Sequence, residues 1–104
     1  MSLTKNMLVI LLVSLLSFPV LADTAGKLAG IIVDKETGEF LPGANVLIEG
    51  TSLGAASDEE GEFYILNIPP GHYTIRVVYI GYNDFVMTNL LIRSDLTTKL
   101  NVEL

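Results

Sequence analysis

The side chains able to do chemistry are few and poorly grouped. His72 is the only histidine, and the 104-residue chain contains no cysteine. An imidazole titrates near neutral pH, but general-base catalysis or zinc ligation needs it to converge with other ligands or with a nucleophile. No second histidine exists to complete such a set, and the position of His72 just after Pro69-Pro70-Gly71 suits a polar surface residue opening a strand. The run Asp58-Glu59-Glu60-Gly61-Glu62 gathers carboxylates around a glycine, a chemistry that hard cations such as calcium use. It lacks the alternating ligand spacing and terminal bidentate glutamate of an EF-hand loop, so it reads as a solvated acidic turn, with weak calcium binding at Asp58–Glu62 as the alternative. Phe63, Tyr64, Tyr73, Tyr79, Tyr82 and Phe85 are the third group. Exposed rings stack on sugars, but tryptophan is absent and large aromatics more often supply buried area. No glycine-rich phosphate loop and no basic patch occurs. The expected set of catalytic, cofactor-binding and metal-binding residues is therefore none.

The elements that would position these side chains begin after an apolar leader. Lys5 is the only charge before Asp23, and Met7 to Phe18 is apolar except for Ser14 and Ser17. Pro19 interrupts the run, and Val20-Leu21-Ala22 brings a small residue to its end. A basic start, a short apolar stretch and a small-residue exit are the marks of a secretory signal. The run is shorter than the roughly 20 residues a spanning helix wants, so cleavage after Ala22 is expected and no transmembrane segment is expected in the mature chain. The expected organisation is a signal peptide at 1–22, a short linker at 23–26 and one domain at 27–104. Removing 22 residues from 104 leaves 82, which carry all twelve acidic residues and five of the six Lys and Arg, for a formal charge of −7. Such a surface repels nucleic acid and anionic headgroups. Without cysteine there is no lipid anchor on a thiol and no disulfide to staple a small domain.

From Lys27 onward, apolar and polar residues alternate, with turn signals about every ten residues, the signature of half-buried strands. Strands are expected over Lys27–Asp34, Ala44–Glu49, Gly54–Ser57, Glu62–Ile68, His72–Ile80, Phe85–Ile92 and Thr97–Leu104. Tyr73, Ile75, Val77 and Tyr79 should share an apolar face. In the last strand Thr98, Leu100, Val102 and Leu104 alternate with Thr97, Lys99, Asn101 and Glu103. Pro69-Pro70-Gly71 suits a type II turn, with proline at its second and glycine at its third position. Asp58 should accept a hydrogen bond from the backbone two residues on. No mature segment offers a helical apolar period. Many short strands with regular turns argue for an all-β sandwich rather than a barrel.

Taken together, the turns and strands are similar to a known family. The residues that carry the likeness are Gly30-Ile31-Ile32-Val33-Asp34, Thr37-Gly38-Glu39-Phe40-Leu41-Pro42-Gly43-Ala44-Asn45-Val46 and Glu49-Gly50-Thr51. They continue with Ser57-Asp58-Glu59-Glu60-Gly61-Glu62-Phe63, Pro70-Gly71-His72-Tyr73 and Gly81-Tyr82. In this order residues 27–104 resemble the carboxypeptidase regulatory-like domain, a seven-stranded transthyretin-like (prealbumin-like) β-sandwich. Phe40 and Ser57 depart mildly, since the family more often has a small residue or proline at the first and threonine at the second.

The resemblance implies a fold strongly and a function weakly, because the matching residues are scaffolding. Domains of this family occur beside metallocarboxypeptidase catalytic domains and, after a signal peptide, at the N-termini of TonB-dependent outer-membrane receptors. The chain looks like the leading domain of such a receptor, or a fragment of one. The implied role is an exported, non-catalytic module in the periplasm or at the periplasmic face of the outer membrane. The implied partner is a protein, with a glycan as the partner of the alternative, a secreted carbohydrate-binding or adhesion module. Thr97–Leu104 is the candidate edge for a partner strand. The transthyretin-like fold also carries hydroxyisourate hydrolase, which depends on several histidines and a C-terminal Tyr-Arg-Gly-Ser signature. This chain reads Asn101-Val102-Glu103-Leu104 there, which argues against that enzyme.

Overall fold

The computed structural model describes residues 24–104; the expected signal segment and the cut after Ala22 lie outside them. Eight strands follow in chain order: β1 Gly26–Val33, β2 Asn45–Ile48, β3 Gly54–Ala56, β4 Glu62–Ile68, β5 Gly71–Val78, β6 Phe85–Ile92, β7 Thr97–Lys99 and β8 Val102–Glu103. They build two sheets. One has the order β4-β1-β7, with β8 also pairing with β1, and the other has the order β3-β2-β5-β6. The alternation reads through to burial. Leu28, Ile32, Phe63, Ile65 and Val102 from the first sheet meet Val46, Ile48, Ile75, Val77 and Ile92 from the second in one dry interior. Within the second sheet Val46 lies directly across from Val77 and Ile48 across from Ile75. Each such side chain taken out of water contributes roughly 1.5–3 kcal/mol. Tyr73 and Tyr79 pack against this core only part-buried.

The described residues make eight strands where seven were expected, because the last strand is split at Leu100 and Asn101. Both halves run parallel to β1 in a single register, Ala29 beside Lys99 and Ile32 beside Val102. Between them, the Leu100 N–H still donates to the Ala29 carbonyl at 2.8 Å, while its own carbonyl sits where a side chain at position 30 would be. A Cβ on Gly30 would lie 1.7 Å from that oxygen. The Ile31 N–H donates instead to Asn101 Oδ1 at 3.2 Å. Glycine thus admits a displaced peptide, and an asparagine side chain restores the lost acceptor.

Two local expectations are also corrected. Pro69 and Pro70 do not close a type II turn between hairpin strands. β4 and β5 belong to different sheets, and Gly71 begins β5 with φ 158°, far from the roughly +80° of that turn. The prolines carry the chain across the sandwich, and the Tyr73 hydroxyl donates to the Pro69 carbonyl at 2.5 Å. The strand expected to reach Ile80 stops at Val78, leaving Ile80 96% exposed. Gly81 at φ 88° then turns the chain, so that Tyr82 folds back against Tyr79 with ring centroids 5.4 Å apart.

Candidate interaction surfaces

His72 lies exposed near the start of β5, opposite Leu91 of β6. The acidic run caps the passage from β3 to β4. Asp58 Oδ1 accepts hydrogen bonds from the backbone N–H of Glu60 and of Glu62, both at 2.9 Å, and the Gly61 N–H donates to the Asp58 carbonyl. Gly61 has φ 71°, and a Cβ there would come within 2.5 Å of the Ile32 carbonyl. Among the described residues no three His, Asp or Glu side chains are grouped to hold a metal ion. The carboxylate at 58 is occupied in folding its own loop.

A second polar cluster closes one end of the sandwich. Asp34 Oδ1 accepts from the N–H groups of Glu36 and Thr37 at 2.8 and 2.9 Å, and Oδ2 accepts from the Tyr82 hydroxyl at 2.6 Å. The Tyr82 bond, followed by the two backbone bonds, holds the Asp34 carboxyl below its ordinary value. The same carboxylate pushes the Tyr82 phenol up to about 12. Tyr82 therefore stays protonated and donating, which suits a tie between two loops and not a nucleophile or base. An open cleft of about 480 Å³ runs beside it, with Lys35, Asp84 and Phe85 among its walls.

The outer face of the second sheet carries a row that sequence reasoning missed. Leu47, Arg76 and Val86 lie side by side across β2, β5 and β6. The Arg76 guanidinium donates to Glu49 at 2.7 Å and to Asp84 at 3.2 Å, and the Glu49 bond leads in raising its pKa. Residues 27 and eight positions away in sequence meet only through strand pairing, so no local signal announces them. Ser57 was also missed except as a departure from a family pattern. It is the one buried polar side chain among the described residues, 6% exposed. Its hydroxyl donates to the Leu41 carbonyl at 2.6 Å and accepts from the Ala44 N–H at 2.9 Å.

The outer face of the first sheet also exposes apolar side chains. Along its β4 side stand Phe40, Tyr64 and Leu66, each more than half exposed. Phe40 is joined to β1 by a bridge to Val33, and the Tyr64 hydroxyl donates to Glu62 at 3.0 Å. Of the six aromatic side chains, expected mainly to pack in the core, Phe63 is buried and Tyr73, Tyr79, Tyr82 and Phe85 pack against it, leaving Tyr64 as the open ring of that group.

Asp34, Lys35, Glu36, Tyr82, Asp84 and Glu103 do line one open cleft. Asp34 and Tyr82 are bonded to each other and Asp84 to Arg76, so these polar clusters serve as knots that hold loops and strands. A family model described as the CarboxypepD_reg-like domain matches residues 28–104. The chain belongs to that family. Among curated relatives, a TonB-dependent receptor P3 from Formosa agariphila is 30% identical over 56 residues, covering 54% of this chain and 6% of the receptor. Carboxypeptidase D from Homo sapiens is 29% identical over 75 residues, 72% of this chain and 5% of that protein. The chain thus spans only a small part of the length of either. Among solved structures, a chain of a type II cohesin-X-dockerin complex from Acetivibrio cellulolyticus superposes with a TM-score of 0.63 at 23% identity, over 74% of this chain and 52% of that one. That likeness supports the sandwich fold alone. In this CarboxypepD_reg-like domain two of the motif residues act as scaffold. Gly43, at φ 80°, leads the chain toward β2, and Phe63 fills the core.

Proposed function

We propose that this CarboxypepD_reg-like domain is an exported, non-catalytic interaction module, serving as the N-terminal periplasmic domain of a TonB-dependent outer-membrane receptor. The observation that carries the reading is the pairing of its family with the receptor relative. It is supported by polar side chains that are spent on loop ties, which leaves recognition to surface shape. Residues 1–22 act as a cleaved export signal, with Asp23 as the mature N-terminus. Mass spectrometry of the protein recovered from a periplasmic or outer-membrane fraction tests this: a chain beginning at Asp23 is expected. An unprocessed chain confined to the cytoplasm refutes it.

A second reading, a secreted carbohydrate-binding or adhesion module, is favoured by one feature. Tyr64 presents an open ring beside buried Ala29, with Lys99 on the far side of that alanine. Glycan-array binding that disappears in Tyr64→Ala would move the assignment to this reading. The ring of Tyr82 is tied to Asp34 and Tyr79, so a loss in Tyr82→Ala would report on folding.

A further inference from the structure

The four lateral edges of the sandwich are not equivalent. β3 has three residues. β6 is bulged between its pairs with Tyr73 and Ile75, near Asn89 at φ 59°, and its Leu91 carbonyl accepts from Thr98 Oγ1 at 3.4 Å. The β7–β8 edge is broken at Leu100 and Asn101 and carries Lys99 and Glu103 outward. Bulges, charges and short strands are how native edges avoid accidental pairing. β4 has none of these between Phe63 and Leu66.

Its free groups follow from the ladder. The Ile32 N–H donates to the Gly61 carbonyl at 2.8 Å, which makes Gly61 a hydrogen-bonded partner of β1. Antiparallel pairs alternate, so Phe63 (opposite Gly30) and Ile65 (opposite Leu28) also direct their N–H and C=O groups to β1. Trans peptides then send the Tyr64 N–H, the Tyr64 C=O and the Leu66 N–H the other way. Glu62, at the start, is already closed off: its N–H donates to Asp58 Oδ1 and its carbonyl accepts from the Asp58 N–H, both at 2.9 Å. Beyond Leu66, Asn67 at φ 59° and the register shift end the regular edge.

We infer that the β4 edge at Tyr64–Leu66 is a strand-addition site for an extended segment of a partner protein, apolar in its middle and basic at its C-terminal end. The added strand lies antiparallel, the more stable pairing, and takes the three free backbone groups. Its outward apolar side chains rest against Tyr64 and Leu66, as cross-strand pairs do. Its C-terminal end then lies beside Asp58, Glu59, Glu60 and Glu62, where Lys or Arg is attracted. The net charge of −7 on residues 23–104 opposes a second copy of this chain in the same place.

This inference deepens the interaction-module reading, and its test does not depend on export. The full chain is titrated with a synthetic peptide of alternating valine and threonine that ends in two arginines, and amide shifts and hydrogen exchange are read by NMR. Slowed exchange at the Tyr64 and Leu66 amides is expected, with binding at least about tenfold weaker for the same peptide carrying its arginines at the N-terminus. Leu66→Pro removes one edge donor and leaves the β1 ladder intact, since edge strands tolerate proline where the N–H faces out. It should lose binding by a similar factor. Leu66→Lys, which blunts the edge by charge, gives the same test if the proline variant misfolds. Equal binding of both peptides, undiminished binding by Leu66→Lys, or sedimentation showing that the chain self-associates through Tyr64–Leu66 would overturn the assignment.

Discussion

Removing the Ser57 hydroxyl should cost this domain a large share of its stability. The hydroxyl sits between the segment Leu41–Ala44 and the end of β3, donating to the Leu41 carbonyl and accepting from the Ala44 N–H. Ala44 is fully buried and Leu41 nearly so. The surrounding backbone is held independently, because the Ser57 N–H donates to the Ala44 carbonyl and the Gly43 N–H donates to the Ser57 carbonyl, both at 2.9 Å. In Ser57→Ala, therefore, the loop stays in place, and its two polar groups are left dry and unpaired. Each such group costs about 1–3 kcal/mol, which puts the loss at about 2–6 kcal/mol. A domain of this size has only about 4–12 kcal/mol in total. At about 4–8 °C per kcal/mol, even the low end of that loss should lower the melting temperature by roughly 8–16 °C. The decisive comparison is Ser57→Thr against Ser57→Val, which share a shape and differ in the hydroxyl. Urea unfolding followed by circular dichroism, with the slope of free energy on urea unchanged, should place Thr near the parent and Val with Ala. If Ala loses less than about 0.5 kcal/mol, or Thr and Val unfold together, the hydrogen bonds are not what holds this loop.

Gly30→Ala should destabilise by more than about 3 kcal/mol, since its Cβ meets the Leu100 carbonyl at 1.7 Å; exchange of the Ile31 amide, freed from Asn101, should rise before global unfolding. Phe63→Ala, at a side chain 1% exposed, should cost about 3–5 kcal/mol by thermal melting. For the Asp34–Tyr82 tie the signs run in opposite directions with pH. Asp34 is lowered from 3.8, so its contribution is present above that value and is lost as pH falls through the depressed folded pKa. Tyr82 is raised from 10.0 to about 12, so its contribution is present below pH 10 and is lost as pH rises toward 12. Tyr82→Phe should flatten the alkaline limb of a stability-versus-pH curve and move the Asp34 carboxyl upward in an NMR titration; an unchanged alkaline limb would contradict the bond.

Much of the sandwich was legible because strand burial has period two and needs no knowledge of a partner. Leu28 and Ile32, Val46 and Ile48, Ile75 and Val77, and Leu100 and Val102 declare their inward face from sequence alone, and the glycines and prolines mark where strands stop. Local polar chemistry was legible for the same reason: Asp58 closes its turn onto residues two and four positions on. What the sequence could not decide was anything made by pairing strands distant in the chain. The meeting of Arg76 with Glu49 and Asp84, the tie of Tyr82 to Asp34 across 48 positions and the buried bridge of Ser57 depend on which strands become neighbours. The split of the final strand depends on the Leu100 carbonyl meeting Gly30, 70 positions earlier, and the open edge at Tyr64 on β4 having β1 on one side only. Side-chain alternation is a property of one strand and is written locally, whereas an edge, a cross-sheet hydrogen bond and a void are properties of two or more strands and exist only once the sheets have formed.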